Sequence, residues 1–222
     1  MNIDRKNFAR VGTMSGFFEN ASERSYDKFI DLSQKIEARG NPFYEPELEE
    51  IHTQRDIAGV ETIVFSAMCF ESAIYDYAAD HLGDSYVKEH LDKLDIISKW
   101  IVVMRLVAGY EFDKNKAPYS ALKGLILARN KLVHSKSEPF NAETLDKQFD
   151  KLMIEQEKHY KAVHNAYRAI VLISLDVERR LGPINNPLPS FDPAVAIMRE
   201  IPKNLQDCVA GCRSIISRTN SE

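Results

Sequence analysis

The sequence predicts an all-α fold, an antiparallel helical bundle of four to five helices with a Pro-rich C-terminal arm. Three observations predict it. Glycines and prolines cluster in a few places and leave long stretches without either. Apolar residues in those stretches recur at steps of three and four, the period of a helix. No strand-rich stretch and no internal repeat is found. The chain has 222 residues, of which 44% are apolar and 28% charged. That composition excludes a wholly disordered chain. Nine glycines and nine prolines are too few for a collagen-like or low-complexity protein.

Residues 21–39 place Phe29, Ile30, Leu32 and Ile36 at helical spacing, and Gly40, Asn41 and Pro42 stop the pattern. The next helix spans 45–82. It opens with acidic residues from Glu45 to Glu50, which suit the positive end of a helix dipole. Ile57, Val60, Val64, Ala67, Ile74 and Ala78 then form its expected core stripe, with Glu71 occupying one place in the series. Between Ile63 and Phe70 the helix is apolar nearly all round, which suits the middle of a core. Gly83 ends it. A short helix over 85–91 and another over 93–108, holding the single Trp, come next. A polar loop from Gly109 leads to Pro118, which suits a first helical turn, and that helix runs to about Ser135. Asn141 is the expected N-cap of the last long helix, with Thr144 and Leu145 following. No Gly or Pro occurs from there to Leu181. Gly182 and Pro183 end the run.

Five of the nine prolines lie at 183, 187, 189, 193 and 202. They mark a wrapping arm or linker, followed by a short amphipathic segment near 204–217. The expected organisation is a helical extension over 1–44, a bundle over 45–182, and an arm with a short helix over 183–222.

The net charge is −4, so the protein as a whole is not a strongly basic nucleic-acid binder. Affinity for a polyanion must come from a local patch. Three cysteines give no disulfide framework, and reduced thiols in a cytoplasm are the simplest expectation. No apolar signal segment opens the chain, and Glu61 and Glu71 interrupt the richest apolar stretch. A cytoplasmic protein without a membrane partner is expected.

The local patch exists. Between Lys114 and Ser137 lie Lys116, Lys123, Arg129, Lys131 and Lys136, and no Asp or Glu. This basic window surrounds His134. Asn130 and His134 are four apart and share a helix face. Arg129 and His134 are about 140° apart around an ideal helix. They reach one groove only from either side, or when a second copy of the helix faces the first across a two-fold axis.

The segment Arg129-Asn130-Lys131-Leu132-Val133-His134 resembles the R-x(4–6)-H motif of the HEPN superfamily, in which a polar residue commonly follows the Arg. The resemblance covers roughly residues 45–182. It implies a metal-independent endoribonuclease that needs no cofactor and works as a homodimer with the motif at the interface. It also implies a role in toxin–antitoxin or phage-defence systems, with a possible antitoxin partner. On that reading His134 is the acid/base and Arg129 clamps the phosphate and the transition state. Asn130 orients the ring or holds a phosphate oxygen. Lys123, Lys131 and Lys136 bind and steer RNA. The 2′-hydroxyl is the nucleophile, so RNA and not DNA is the substrate. Glu71 is a candidate to pair with Arg129 and orient it, the alternative being a glutamate at the rim of the bundle. The alternative is a non-catalytic helical interaction module that assembles through the long helix 141–181.

Other candidates carry less. His159 and His164 are five apart near Glu155 and Glu157, the wrong spacing for a zinc helix, and a solvated face is expected there. Cys208 and Cys212 share a face without a second ligand pair. No metal site is expected. Tyr75, Asp76 and Tyr77 follow Glu71 and are expected mostly in the core, and His81 and His90 join no site. No glycine-rich phosphate loop or serine elbow occurs.

Overall fold

A computed structural model describes residues 10–39, 46–137, 139 and 145–218. Among the described residues the fold is all-α, as expected, with no strand. Four long helices make the body: α1 (Ser15–Ala38), α2 (Pro46–Leu82), α5 (Ala117–Val133) and α6 (Leu145–Leu181). Between them lie the single turn α3 (Asp84–Tyr86), one π-helical turn at Val87–Leu91, and α4 (Ile96–Ala108). The short helix α7 (Gln206–Arg218) is the last element among the described residues. The predicted stop at Gly40 to Pro42, the residue Glu45 and the expected cap Asn141 with Thr144 lie outside the described residues.

The pairs α1–α2 and α5–α6 run antiparallel. Ser22 meets Ser66 at 2.7 Å, Ser25 donates to Glu61 at 3.1 Å, and Lys28 donates to Gln54 at 2.8 Å, so α1 and α2 pair along most of α1. The segment expected as an extension over 1–44 thus contributes a helix of the bundle itself. Asn165 donates to the Ala121 carbonyl at 2.9 Å, and Lys131 pairs with Glu155, so α5 and α6 form a second hairpin. Where α2 meets α6 the two run parallel. Tyr160 donates to Asp56 at 3.3 Å, and Val163 packs on Gly59.

Gly59 permits that approach. A Cβ there would sit 2.9 Å from a methyl of Val163, which is fully buried. Gly211 in α7 has nothing within 4 Å of an added Cβ. The two glycines therefore give opposite expected results. Gly59→Val lowers stability by about 1–3 kcal/mol through overpacking. Gly211→Ala raises it by about 0.5–1 kcal/mol through reduced chain freedom and better helix propensity. Urea denaturation of the two variants checks both.

Asp95 sets the start of α4, and its carboxylate accepts the Ser98 N–H at 3.1 Å and the Ser98 hydroxyl at 2.5 Å. This cap explains why the helix begins three residues after the expected position 93. The hydrogen bonds from Ser98 also hold the Asp95 carboxyl below its ordinary range. Gly109 ends α4 in the left-handed region at φ +62°, as expected of a glycine stop. Trp100 is fully buried and donates its indole N–H to the Phe70 carbonyl at 3.0 Å.

The expected core stripe of α2 is corrected in part. Ala67, Ile74 and Ala78 are buried, but Ile57 is 43% exposed and Val60 39% exposed. The buried face instead runs through Ala58, Thr62, Ile63, Ser66 and Phe70, and Glu71 stands exposed on the outer face beside Met68. Serine and threonine serve here because α1 and α2 approach closely. Ser22 also donates to the Thr62 carbonyl, and Thr62 donates to the Ala58 carbonyl at 2.7 Å.

Contrary to expectation, Leu48–Leu82 is long and apolar enough to cross a membrane by length and composition alone, despite Glu61 and Glu71. Its most apolar window is 56% buried in the bundle, the environment of a core helix.

The Pro-rich segment is a wrapping arm. Phe191, 1% exposed, packs edge-to-face on Tyr167, with ring centroids 6.1 Å apart. Ser174 of α6 donates to the Pro189 carbonyl at 2.7 Å, Ser190 donates to Glu178 at 2.7 Å, and Arg213 of α7 donates to the Phe191 carbonyl at 2.6 Å. The prolines prevent helix, and side chains from the bundle satisfy the backbone groups left over.

Candidate functional site

The last turn of α5 carries the motif. Pro118 sits in the first turn of this helix, as expected. Buried Leu122, Leu125 and Ile126 fix the helix against the core. Its last turn, from Arg129 onward, carries no buried residue, the buried positions stopping at Ile126, and presents Arg129, Asn130 and Lys131 beside Leu132 and Val133. His134 caps the helix, its backbone N–H donating to the Asn130 carbonyl at 3.0 Å.

Asn130 and His134 are exposed, and Arg129 is half-buried. The Arg129 guanidinium donates to the Asn130 side-chain oxygen at 3.1 Å. Asn130 therefore holds the arginine, not the imidazole ring that was one of its expected partners. Among the described residues neither Arg129 nor His134 makes an ion pair. The pairing of Glu71 with Arg129 is not formed.

The expected RNA-steering lysines separate. Lys123 is exposed on α5. Lys131 crosses to Glu155 of α6, and Lys131 and Lys136 both line a groove between α5 and α6. Arg129, Asn130 and His134 do not line it. Helix geometry explains the split. Ala128, Leu132 and Ser135 lie on one side of the helix, and Asn130 and His134 lie opposite them.

The groove has a volume of about 930 Å³. Leu127, Ala128 and Leu132 form one wall, and Leu145, Phe149 and Leu152 form the other. Ile63 of α2 also reaches it. Its polar lining includes Lys131, Lys136, Lys151, Lys158, Glu155 and His159. Glu155 accepts from Lys131 and, at 3.0 Å, from Lys158. His159 is not on a solvated face as expected. It is half-buried, and burial pushes its imidazole below the ordinary value while Asp56 opposes that shift.

The sequence pattern does not mark this groove. The one available signal was Phe149 and Leu152 within a polar stretch of the long helix. Their spacing marks an apolar face but does not say that the partner helix stops short of it. Among the described residues no group of three His, Cys, Asp or Glu is placed to hold a metal ion. Cys69 and Cys212 are buried, and no disulfide joins the cysteines.

No protein-family model, curated protein or solved structure matches the chain.

Proposed function

We propose that the chain is a metal-independent endoribonuclease of HEPN type, acting in the cytoplasm as a homodimer within a toxin–antitoxin or phage-defence system. The observation that carries this reading is the chemistry of the last turn of α5. A guanidinium and an imidazole stand accessible on one helix end, in a window of 24 residues without a carboxylate, in a protein of net charge −4. Acidic proteins neutralise their cations readily, as Lys131, Lys35 and Arg105 are neutralised here. Arg129 and His134 are left for an external anion.

One copy supplies half of the site. Arg129 and His134 lie on flanks of α5 too far apart in angle for both to grip the same phosphate unaided. A two-fold axis beside the last turn gives each phosphate an Arg and a His from facing helices. Exposed Val133 on α5, and Ile57, Val60 and Met68 on α2, supply apolar surface for such an interface. In the reaction, the imidazole of His134 takes the 2′-hydroxyl proton. The 2′-oxygen attacks the phosphorus as the bond to the 5′-oxygen breaks, and the imidazolium of the facing copy's His134 gives that oxygen its proton. Arg129 stabilises the charge gathering on the phosphoryl oxygens, and Asn130 holds the guanidinium plane.

The test is cleavage of an end-labelled structured RNA in EDTA, beside a DNA of the same sequence. The expected products carry 2′,3′-cyclic phosphate and 5′-hydroxyl ends, with the DNA intact. Absence of cleavage across several RNAs overturns the reading. The chain is then best taken as a helical assembly module, which the exposed apolar residues at the start of α6 favour: Phe149, Leu152, Met153 and Ile154 are all more than half exposed.

A further inference from the structure

Helix α7 lays two thiols against a tyrosine, a histidine and an arginine. Cys208 and Cys212 are four apart on α7 and share a face. That face packs where Tyr26 of α1 meets His164 and Arg168 of α6. The Tyr26 hydroxyl and His164 Nδ1 are 2.8 Å apart. The Cys208 sulfur is in hydrogen-bond contact with Cys212 and Tyr26, and the Arg168 guanidinium donates to Cys212. Cys212 is buried, Cys208 half-buried and His164 exposed. Among the described residues no carboxylate pairs with Arg168.

Three features set Cys208 apart from a thiol that only fills space. Its proton has a route to water. The thiol S–H donates to the Tyr26 oxygen, and the Tyr26 O–H donates to His164 Nδ1. Moving one proton along each bond leaves a thiolate that accepts from Tyr26 and an imidazolium that reaches solvent. Burial lowers the His164 imidazole, so at neutral pH the ring is neutral and free to accept that proton. The surroundings also favour the thiolate. The hydrogen bond from Cys212 holds the Cys208 thiol below its ordinary value, burial opposes this, and Arg168 and Tyr26 add to the lowering. A partly exposed sulfur beside an arginine is the environment of reactive cysteines. Finally, a second sulfur stands beside the first. Cys69 is the contrast. It is fully buried in α2, and burial pushes its thiol up.

We propose that Cys208 is a peroxide-reactive thiol and that Cys212 is its resolving partner. The Cys208 sulfur attacks one oxygen of hydrogen peroxide. The S–O bond forms, the O–O bond breaks, and the departing oxygen takes the proton held by His164 and leaves as water. Sulfur is oxidised to the sulfenic acid and peroxide is reduced. The Cys212 sulfur then attacks the sulfenic sulfur. The S–S bond forms, the S–O bond breaks, and the hydroxyl leaves as water with the Cys212 proton. The first step prepares the second. The hydrogen bond to Cys208 and burial hold the Cys212 thiol up, and Arg168 opposes them. Oxidation removes the charge on Cys208 and leaves Arg168 to act on Cys212 alone. On an intact helix the two Cβ atoms lie about 5–6 Å apart, whereas a disulfide needs about 3.5–4.5 Å. The bond therefore distorts α7, which holds the arm through Arg213 and the Phe191 carbonyl. None of this depends on the nuclease reading.

Intact-mass spectrometry of the full chain, treated with equimolar hydrogen peroxide, tests it. The wild type is expected to lose two hydrogens and to regain them with dithiothreitol. Cys212→Ser is expected to gain one oxygen instead, captured by dimedone at Cys208. Cys208→Ser is expected to react about tenfold more slowly or less than that. Tyr26→Phe keeps the ring and removes the relay. Its ultraviolet thiolate absorbance, read against the same variant carrying Cys208→Ser, is expected to fall below the wild-type value, a signal that packing alone does not move. Circular dichroism confirms that the variants fold. Oxidation of Cys208→Ser at the wild-type rate, or dimedone on Cys69, overturns the proposal. Unchanged thiolate absorbance in Tyr26→Phe overturns the relay. A disulfide found only between two chains overturns Cys212 as the resolving thiol.

Discussion

His134→Ala is expected to reduce RNA cleavage by about 10²–10⁴-fold, the usual contribution of a positioned acid/base. The side chain is exposed at a helix terminus and makes no ion pair among the described residues, so its loss should leave the fold unchanged. Thermal denaturation of the variant should overlay that of the wild type. Added imidazole should restore part of the activity of His134→Ala, because a small base can enter the space left. It should restore none to Arg129→Ala, which lacks the charge that binds the phosphoryl oxygens. Arg129→Lys keeps that charge but not the two-pronged geometry, and should remain well below wild type. If His134→Ala cleaves at the wild-type rate, the residue is only a helix cap and the acid/base role is wrong.

The fold was legible because its signals are local. Glycine stops at 83, 109 and 182, Pro118 in a first turn and the unbroken run to Leu181 all reflect backbone chemistry that tertiary packing does not override. Faces were harder to read. The stripe from Ile57 to Ala78 has helical period, but nearly every position of α2 between Ile63 and Phe70 is apolar, so period alone does not select the buried side. Packing against α1 selected it, through Ser22, Ser66 and Thr62, residues that a hydropathy pattern counts as polar. The motif's position on the last turn of α5 was legible for the same local reason as the fold. That Lys131 and Lys136 line the groove while Arg129, Asn130 and His134 do not was not legible. Helix period separates the two faces of α5, but which face meets α6 is set by contacts such as Lys131 with Glu155, 24 residues distant in sequence. The groove was illegible because it arises from a difference in length between two helices, and helix ends are the least determined feature of a sequence pattern.

Arg199→Ala is expected to cost about 3–5 kcal/mol of stability, although it lies far from any proposed chemistry. Arg199 sits in the C-terminal arm and donates to both Glu19 and Glu23 of α1, the latter at 2.5 Å. Its guanidinium carbon stands 4.0 Å from the ring centroid of Phe191, and Tyr167 donates to Glu23 at 2.8 Å. Glu19 is only 2% exposed. Burial raises its carboxyl above the ordinary value, Arg199 opposes that shift, and Glu23 adds to it. Without the arginine, two carboxylates face each other out of water, and the arm loses its tie to α1. An exposed pair makes the comparison: Lys35 and Asp31, 2.6 Å apart at i,i+4, should lose no more than about 0.5 kcal/mol on Lys35→Ala. The pH dependence separates a lost charge partner from lost packing. A carboxyl raised on folding contributes stability below its unfolded value, about 4.5, and that contribution is lost as pH rises through the folded value. Removing Arg199 raises the folded value of Glu19 further. The deficit of Arg199→Ala should therefore be greatest near neutral pH and shrink as pH falls toward 4.5, where Glu19 takes up a proton and can donate to Glu23. A deficit independent of pH would assign the loss to packing on Phe191 alone. Urea midpoints of wild type and variant between about pH 5 and pH 8 distinguish the two, because protonation changes with pH and ring contact does not.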